Sequence, residues 1–198
     1  PARRGKIINM SSAAAFPGLA RYAAYTAARA GVNGLTKAVG REVARDGIQV
    51  VIASAFNNIG PRQDASFFAS GVARQIALIE LGRMEPIIRV GSLDTRRDFT
   101  DVRDTVRAYR ALATDGRPGC AYNVCSGQAY AVRDLLDGLV AHSRVPVEVR
   151  QDPDRFRPND TPLLLGDHSR ITRDTGWEAI VPLHQTLRDL LDHWRQQV

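Results

Sequence analysis

Residues 5–53 read GKIINMSSAAAFPGLARYAAYTAARAGVNGLTKAVGREVARDGIQVVIA, and their periodicity decides the fold. Residues 6–10 (KIINM) form a short apolar run that reads as a buried strand. Ser11 and Ser12 follow at its carboxyl end. From residue 22 to residue 45, small and apolar residues recur at helical spacing, and Gly47 is a natural stop. Gly31 and Gly34 lower the helix propensity of that segment, which is tolerable where a helix packs closely on a sheet or another helix. Residues 48–53 (IQVVIA) form a second buried strand. Strand, helix and strand in this order make a βαβ unit, with a right-handed crossover between parallel strands.

Working outward, 198 residues suffice for one medium domain, or one domain with a small lobe. Apolar residues make up 44%, so the chain can build a core and is not expected to be disordered. No apolar run approaches the roughly 18 residues of a membrane span. No signal-peptide pattern precedes the first strand, so the default location is cytoplasmic. Cys120 and Cys125 form neither a CxxC pair nor a disulfide framework. His142, His168, His184 and His193 lack metal-ligand spacing, so no metal is expected.

The formal net charge is +6, and Lys6 and Lys37 are the only lysines among the 27 basic residues. The arginines are dispersed and accompany no nucleic-acid-binding module. Neither nucleic acid nor a membrane is an expected partner. An anionic small ligand held by a few arginines fits better, because a guanidinium fork matches phosphate oxygens.

Beyond the βαβ unit, residues 57–63 read as a loop and residues 67–81 as a helix closed by Gly82. A short strand at 86–90 precedes a helix at 100–113 with apolar Val102, Val106 and Leu112. Residues 121–125 (AYNVC) read as a third buried strand, expected beside 6–10 and 48–53 in a parallel sheet. A helix at 132–140, a strand at 147–150, an Arg-rich loop at 155–160 and an amphipathic helix at 183–196 complete the chain.

Ser12 and Tyr25 lie 13 residues apart, and Arg29 follows Tyr25 by four, on the same helix face. A guanidinium beside a phenol favours the phenolate and lowers a pKa that is about 10 when unperturbed. Such a tyrosine exchanges a proton with a carbonyl or alcohol oxygen, and a neighbouring serine hydroxyl holds that oxygen. The plain alternative is an interfacial tyrosine beside a solvated arginine. The wording of residues 1–52 resembles the single-domain branch of the short-chain dehydrogenase/reductase superfamily. Its pattern is a serine followed by Tyr-x-x-x-Lys. Ser12 and Tyr25 match; Arg29 stands where the family has lysine. The resemblance implies Ser12, Tyr25 and Arg29 as catalytic residues, with Tyr25 and Arg29 also beside the NADP or NAD cofactor.

From residue 53 onward the resemblance shifts to the extended, nucleotide-sugar branch. FNNIGPRQ, ASFFASGVARQIALIELG, VGSLDTRRDFTDVRDTVRAY, RPGCAYNVCSG, RFRPND and DTGWEAIVPL are similar to the GDP-4-keto-6-deoxy-mannose reductases, with the GDP-mannose dehydratases as a second match. The resemblance implies a GDP-sugar substrate. Asn57 would bind the diphosphate–sugar region, Arg97 and Arg157 would hold phosphate, and Asp160 would take a ribose hydroxyl. Ser70 would line the nucleotide pocket, and Ser54 would lie beside the nicotinamide. The dehydratases carry a glutamate two residues after their catalytic hydroxyl, whereas alanines follow Ser12 here, which favours reduction. Ser54-Ala55 replace the family's Arg-Pro, as though two branches were joined near residue 51.

The expected fold is α/β, the C-terminal half of a Rossmann-like parallel sheet with a small α/β substrate-binding lobe. Residues 1–60, completed by about 98–128, form the partial Rossmann part; residues 61–97 and 129–198 form the lobe. No Gly-x-x-Gly-x-x-Gly fingerprint follows a strand in these residues. The edge at 6–10 is therefore expected to pair in a homo-oligomer or with the rest of a longer enzyme. Tight dinucleotide binding by these residues alone is not expected. The reading is an NAD(P)-dependent reductase of a GDP-linked 4-keto-6-deoxy sugar with Tyr25 as proton donor. The alternatives are a nucleotide-sugar-binding remnant without chemistry, a GDP-mannose 4,6-dehydratase, or another short-chain ketoreductase.

Overall fold

A computed structural model describes residues 5–15, 22–155 and 161–198. The elements in chain order are β1 (Gly5–Ser12), α1 (Ala23–Val43), β2 (Ile48–Ala55), β3 (Asn57–Ile59), α2 (Phe68–Glu80), β4 (Ile87–Val90) and β5 (Arg96–Asp101). They continue with α3 (Val102–Asp115), β6 (Ala121–Val124), β7 (Ala129–Ala131), α4 (Val132–Ala141), β8 (Glu148–Gln151), β9 (Leu163–Leu164), α5 (Ser169–Thr175) and α6 (Leu183–Gln197). The chain divides into two compact units. One comprises Pro1–Asn57, Arg103–Gln128 and Gly166–Ile180; the other comprises Asn58–Val102, Ala129–Leu165 and Val181–Val198.

The first unit is built on a parallel sheet in the order β1-β2-β6. β1 and β2 pair in register from Gly5↔Ile48 to Ser12↔Ala55, and β6 adds on the other side of β2 from Ile52↔Ala121 to Ala55↔Val124. The three apolar runs are thus parallel neighbours, as expected. Helix α1 supplies the crossover between β1 and β2, and ends through a 3-10 turn at Gly47, whose φ of 71° is left-handed.

The two sheet faces pack by different means. On one face Val51, Ala53, Tyr122 and Val124 meet Ala108 and Leu112 of α3, Ile171 of α5, and Trp177. The Tyr122 hydroxyl donates to Asp174 Oδ2 at 3.0 Å and accepts the Arg117 amide at 2.8 Å. This bond fastens α5 to β6, so residues Gly166–Ile180 fold with the first unit, although the sequence assigned them to the lobe. Lys6 Nζ donates to the carbonyls of Thr114 and Gly116 at 3.1 and 3.0 Å, satisfying acceptors at the carboxyl end of α3. The opposite face is covered by α1, whose only fully buried residue is Thr36.

In the second unit, β5 pairs with β3, antiparallel with β7 and parallel with β9, while β4 and β8 form a separate parallel pair. Helices α2, α4 and α6 form its core with Ile76, Leu136, Leu139, Leu187, Leu190 and Leu191. Gly138 permits the approach of α6, since a Cβ there would stand 2.7 Å from Leu187 Cδ1. Across the ends of these helices runs a largely buried ion pair. Arg195 Nη2 lies 2.7 Å from Glu80 Oε1, with the two side chains only 15% and 7% exposed. Arg195 also bonds Asp192 at 2.7 Å and the His142 carbonyl at 2.8 Å.

Removing one partner of a buried pair strands the other. Glu80→Gln should lower unfolding stability by about 3 kcal/mol at neutral pH, measured by urea denaturation. Hydrogen bonding from Arg195 holds the Glu80 carboxyl below its usual range. Its contribution is therefore complete above the unfolded carboxylate value and fades as pH falls through the lower folded value. The gap between parent and variant should narrow below about pH 4.

Candidate active site

The parallel register brings β1 and β2 to a common carboxyl end, where ligands of open α/β sheets bind. Ser12 is the last residue of β1, half-buried, and its Oγ accepts the Ala14 amide at 3.2 Å. Ser11, one residue earlier, points to the opposite face and donates its hydroxyl to the Arg29 carbonyl at 3.2 Å.

Tyr25 stands in the first turn of α1 and is 41% exposed. Arg29, one turn on, lies over its ring with the guanidinium carbon 5.1 Å from the centroid, a cation–π contact. The Tyr22 ring meets Tyr25 edge-on at 6.2 Å. Arg29 Nη1 also donates to the Met10 carbonyl at 3.0 Å. The guanidinium thus sits on the face of the phenol ring and ties α1 to β1. Its charge reaches a residue the sequence reading missed, Tyr109 of α3: burial pushes that phenol up, and Arg29 opposes the shift. Tyr109 sits in an ordinary helical pattern, so no local signal marked it.

Ser54 lies in β2 beside Ser11 in β1 and Asn123 in β6. It is 1% exposed, and its Oγ is one of three buried side-chain polar atoms without a partner among the described residues. Burying a hydroxyl without a partner is costly.

The remaining candidates concern anion recognition. Asn57 opens β3 and is half-buried. In the second unit, Arg97 on β5 donates through Nη1 to the carbonyls of Arg96 at 2.9 Å and Thr161 at 2.5 Å. A planar guanidinium suits recognition of phosphate oxygens. Ser70 of α2 is fully buried; its hydroxyl donates to the Gln63 carbonyl at 2.6 Å and accepts Trp194 Nε1 at 2.8 Å. That hydroxyl holds α6 to α2. Arg157 and Asp160 lie outside the described residues. No group of three or more His, Cys, Asp or Glu is placed to hold a metal among the described residues. No helix among them is long and apolar enough to cross a membrane.

The family model described as GDP-mannose 4,6 dehydratase matches residues 19–190. The chain belongs to this family. The GDP-mannose 4,6-dehydratase match begins inside the segment that resembles the single-domain branch and runs across the position where a join was expected. GDP-6-deoxy-D-mannose reductase of Pseudomonas aeruginosa is 39% identical over 153 residues, covering 77% of this chain and 50% of that protein. GDP-mannose 4,6-dehydratase of Sinorhizobium fredii is 28% identical over 155 residues, covering 68% of this chain and 42% of that protein. The chain thus spans half or less of the length of these two relatives. The solved structure of RMD from Pseudomonas aeruginosa complexed with NADPH superposes with a TM-score of 0.87 at 31% identity, covering 98% of this chain and 68% of that one. The α/β fold with a Rossmann-like parallel sheet is therefore shared along nearly all of the chain.

Arg29 makes both the ring contact and the Met10 bond, together worth about 1–2 kcal/mol at an exposed site. Arg29→Met should speed amide exchange in the first turns of α1 by about tenfold, read by hydrogen–deuterium exchange, while exchange in β2 and β6 stays unchanged.

Proposed function

We propose that the chain is the catalytic and sugar-binding part of a reductase that uses NADPH or NADH to reduce the C4 ketone of a GDP-linked 4-keto-6-deoxy sugar. The observation that carries the reading is the exposed Tyr25 phenol under the Arg29 guanidinium, at the end of the sheet where Ser12 terminates β1. The identity to a GDP-6-deoxy-D-mannose reductase supports the ligand class, and the likeness to a structure complexed with NADPH supports the cofactor.

The residues present fit the nicotinamide end of such a cofactor. Ser54 offers an unspent buried hydroxyl, and Tyr25 and Ser12 offer hydroxyls at the same end of the sheet. Bound NADPH supplies the hydride. Tyr25 donates its phenolic proton to O4 of the sugar as the carbonyl becomes an alcohol. Ser12 donates a hydrogen bond to that oxygen while charge develops on it. Arg29 offsets the negative charge left on the Tyr25 ring. In this reading Asn57, Arg97 and Arg157 take the diphosphate–sugar region, and Asp160 takes a ribose hydroxyl. Ser70 serves the nucleotide by fixing α2, the helix that lines its pocket in the family. Two free cysteines and a demand for reduced dinucleotide suit the cytoplasm.

Alanines after Ser12, where the dehydratases have a glutamate, favour reduction over dehydration. In steady-state assays with a GDP-4-keto-6-deoxy sugar, Tyr25→Phe should lower kcat by about 100-fold or more, with KM for the sugar within twofold. Turnover undiminished in Tyr25→Phe would remove the proton-donor role. Arg97→Ala should raise KM about tenfold or more through loss of a charge-assisted bond.

A further inference from the structure

We infer that Ser11 is a positioning residue that fixes the axial placement of α1, and with it Tyr25, against Ser12; the inference rests on the Tyr25 reading above. Helices of globular proteins are held mainly by burying an apolar stripe. Along α1 only Thr36 is fully buried; Val32, Val39 and Val43 at the same helical repeat are half-buried, and nothing lies within 4 Å of a Cβ placed on Gly31 or Gly34.

The face that α1 turns to the sheet carries Arg29, Asn33, Thr36 and Gly40 at helical repeat, interleaved with half-buried Val32 and Val39. Opposite them, Ser11 Oγ donates to the Arg29 carbonyl at 3.2 Å, and Asn9 Nδ2 donates to Thr36 Oγ1 at 2.8 Å. A Cβ placed on Gly40 would stand 3.7 Å from Val50 Cβ, an ordinary contact with β2. Asn33 Oδ1, on the same face, is a buried atom without a partner among the described residues. Thr36 Oγ1 also donates to the Val32 carbonyl at 2.6 Å, which leaves it an acceptor for Asn9.

This difference in bonding has a geometric consequence. Apolar contact is non-directional and tolerates sliding, whereas a hydrogen bond is lost within a few tenths of an ångström and a few tens of degrees. A slip of one helical residue shifts α1 by about 1.5 Å and breaks both bonds. Ser11 bears most directly on the chemistry. It is adjacent to Ser12, is 6% exposed, and grips the carbonyl of the residue stacked on Tyr25. Misplacing a reacting group by about 1 Å costs up to 100-fold in rate.

The test compares Ser11→Ala and Ser11→Thr with Leu35→Ala, an exposed position on α1 away from the seam. In the full chain, Ser11→Ala should lower kcat about tenfold or more, with KM for the GDP-sugar within twofold. Ser11→Thr, which keeps the hydroxyl, should restore kcat, and Leu35→Ala should leave it unchanged. Amide exchange along α1 should quicken in Ser11→Ala alone, with β2 and β6 protected as before. A Ser11→Ala variant with parental kcat, or a Ser11→Thr variant as impaired as Ser11→Ala, overturns the inference. If the parent binds both NADPH and the GDP-sugar yet has no turnover, the Tyr25 reading is what fails. The exchange measurement then decides the clamp by itself, and unaltered exchange in Ser11→Ala overturns it.

Discussion

The parallel register of β1 on β2, with Ser11 beside Ser54 and Ser12 beside Ala55, is the constraint on which the first unit depends. Side chains alternate across a strand, so a slip of one residue would exchange the faces of every one of them. In the observed register Asn9 and Ser11 face α1 and bond it, while Ser12 ends the strand on the other face. The apolar residues on that other face, Val51, Ala53, Tyr122 and Val124, close against α3 and α5. One pairing therefore sets the apolar core, the seat of α1 and the place of the candidate hydroxyls together.

Much of this was legible because long periodic segments carry their own signal. The runs that became β1, β2 and β6 are apolar and bounded by polar or turn residues, and the helices now seen as α1, α2, α3, α4 and α6 show helical spacing. The short strands β3, β7 and β9 have two or three residues and no period to read. β5 was hidden because its inward residues are Asp98, Thr100 and Asp101, polar side chains in a strand that sequence patterning expects to be apolar. α5 is seven residues long and is fastened by Tyr122 to Asp174, a contact between positions far apart in the chain.

The site divides in the same way. Ser12 and Tyr25 were named through the resemblance of residues around them, with spacing alone leaving an interfacial tyrosine open, and their places at a strand end and a helix start are local features. The stacking of Arg29 and its bond to Met10 depend on how α1 lies on β1, which spacing does not encode. The engagement of Ser70 by Trp194 joins residues from opposite ends of the second unit, and only packing reveals it. The positive charge has a location as well: the basic excess of the chain resides in the first unit, while the second is close to neutral. Arg97 and Arg157 thus act in the proposal as individual forks rather than as parts of a broad basic field.

Chemistry at the Tyr25 phenol is the central claim, and isotope transfer tests it most directly. The full chain is incubated with a GDP-4-keto-6-deoxy sugar and NADPH deuterated at the transferable position, and the nucleotide sugar is examined by mass spectrometry and NMR. The account predicts a GDP-6-deoxy sugar with one deuterium, bound to C4. Recovery of the keto sugar without label, while binding of both NADPH and the GDP-sugar persists, would contradict it and leave a nucleotide-sugar-binding protein without redox chemistry.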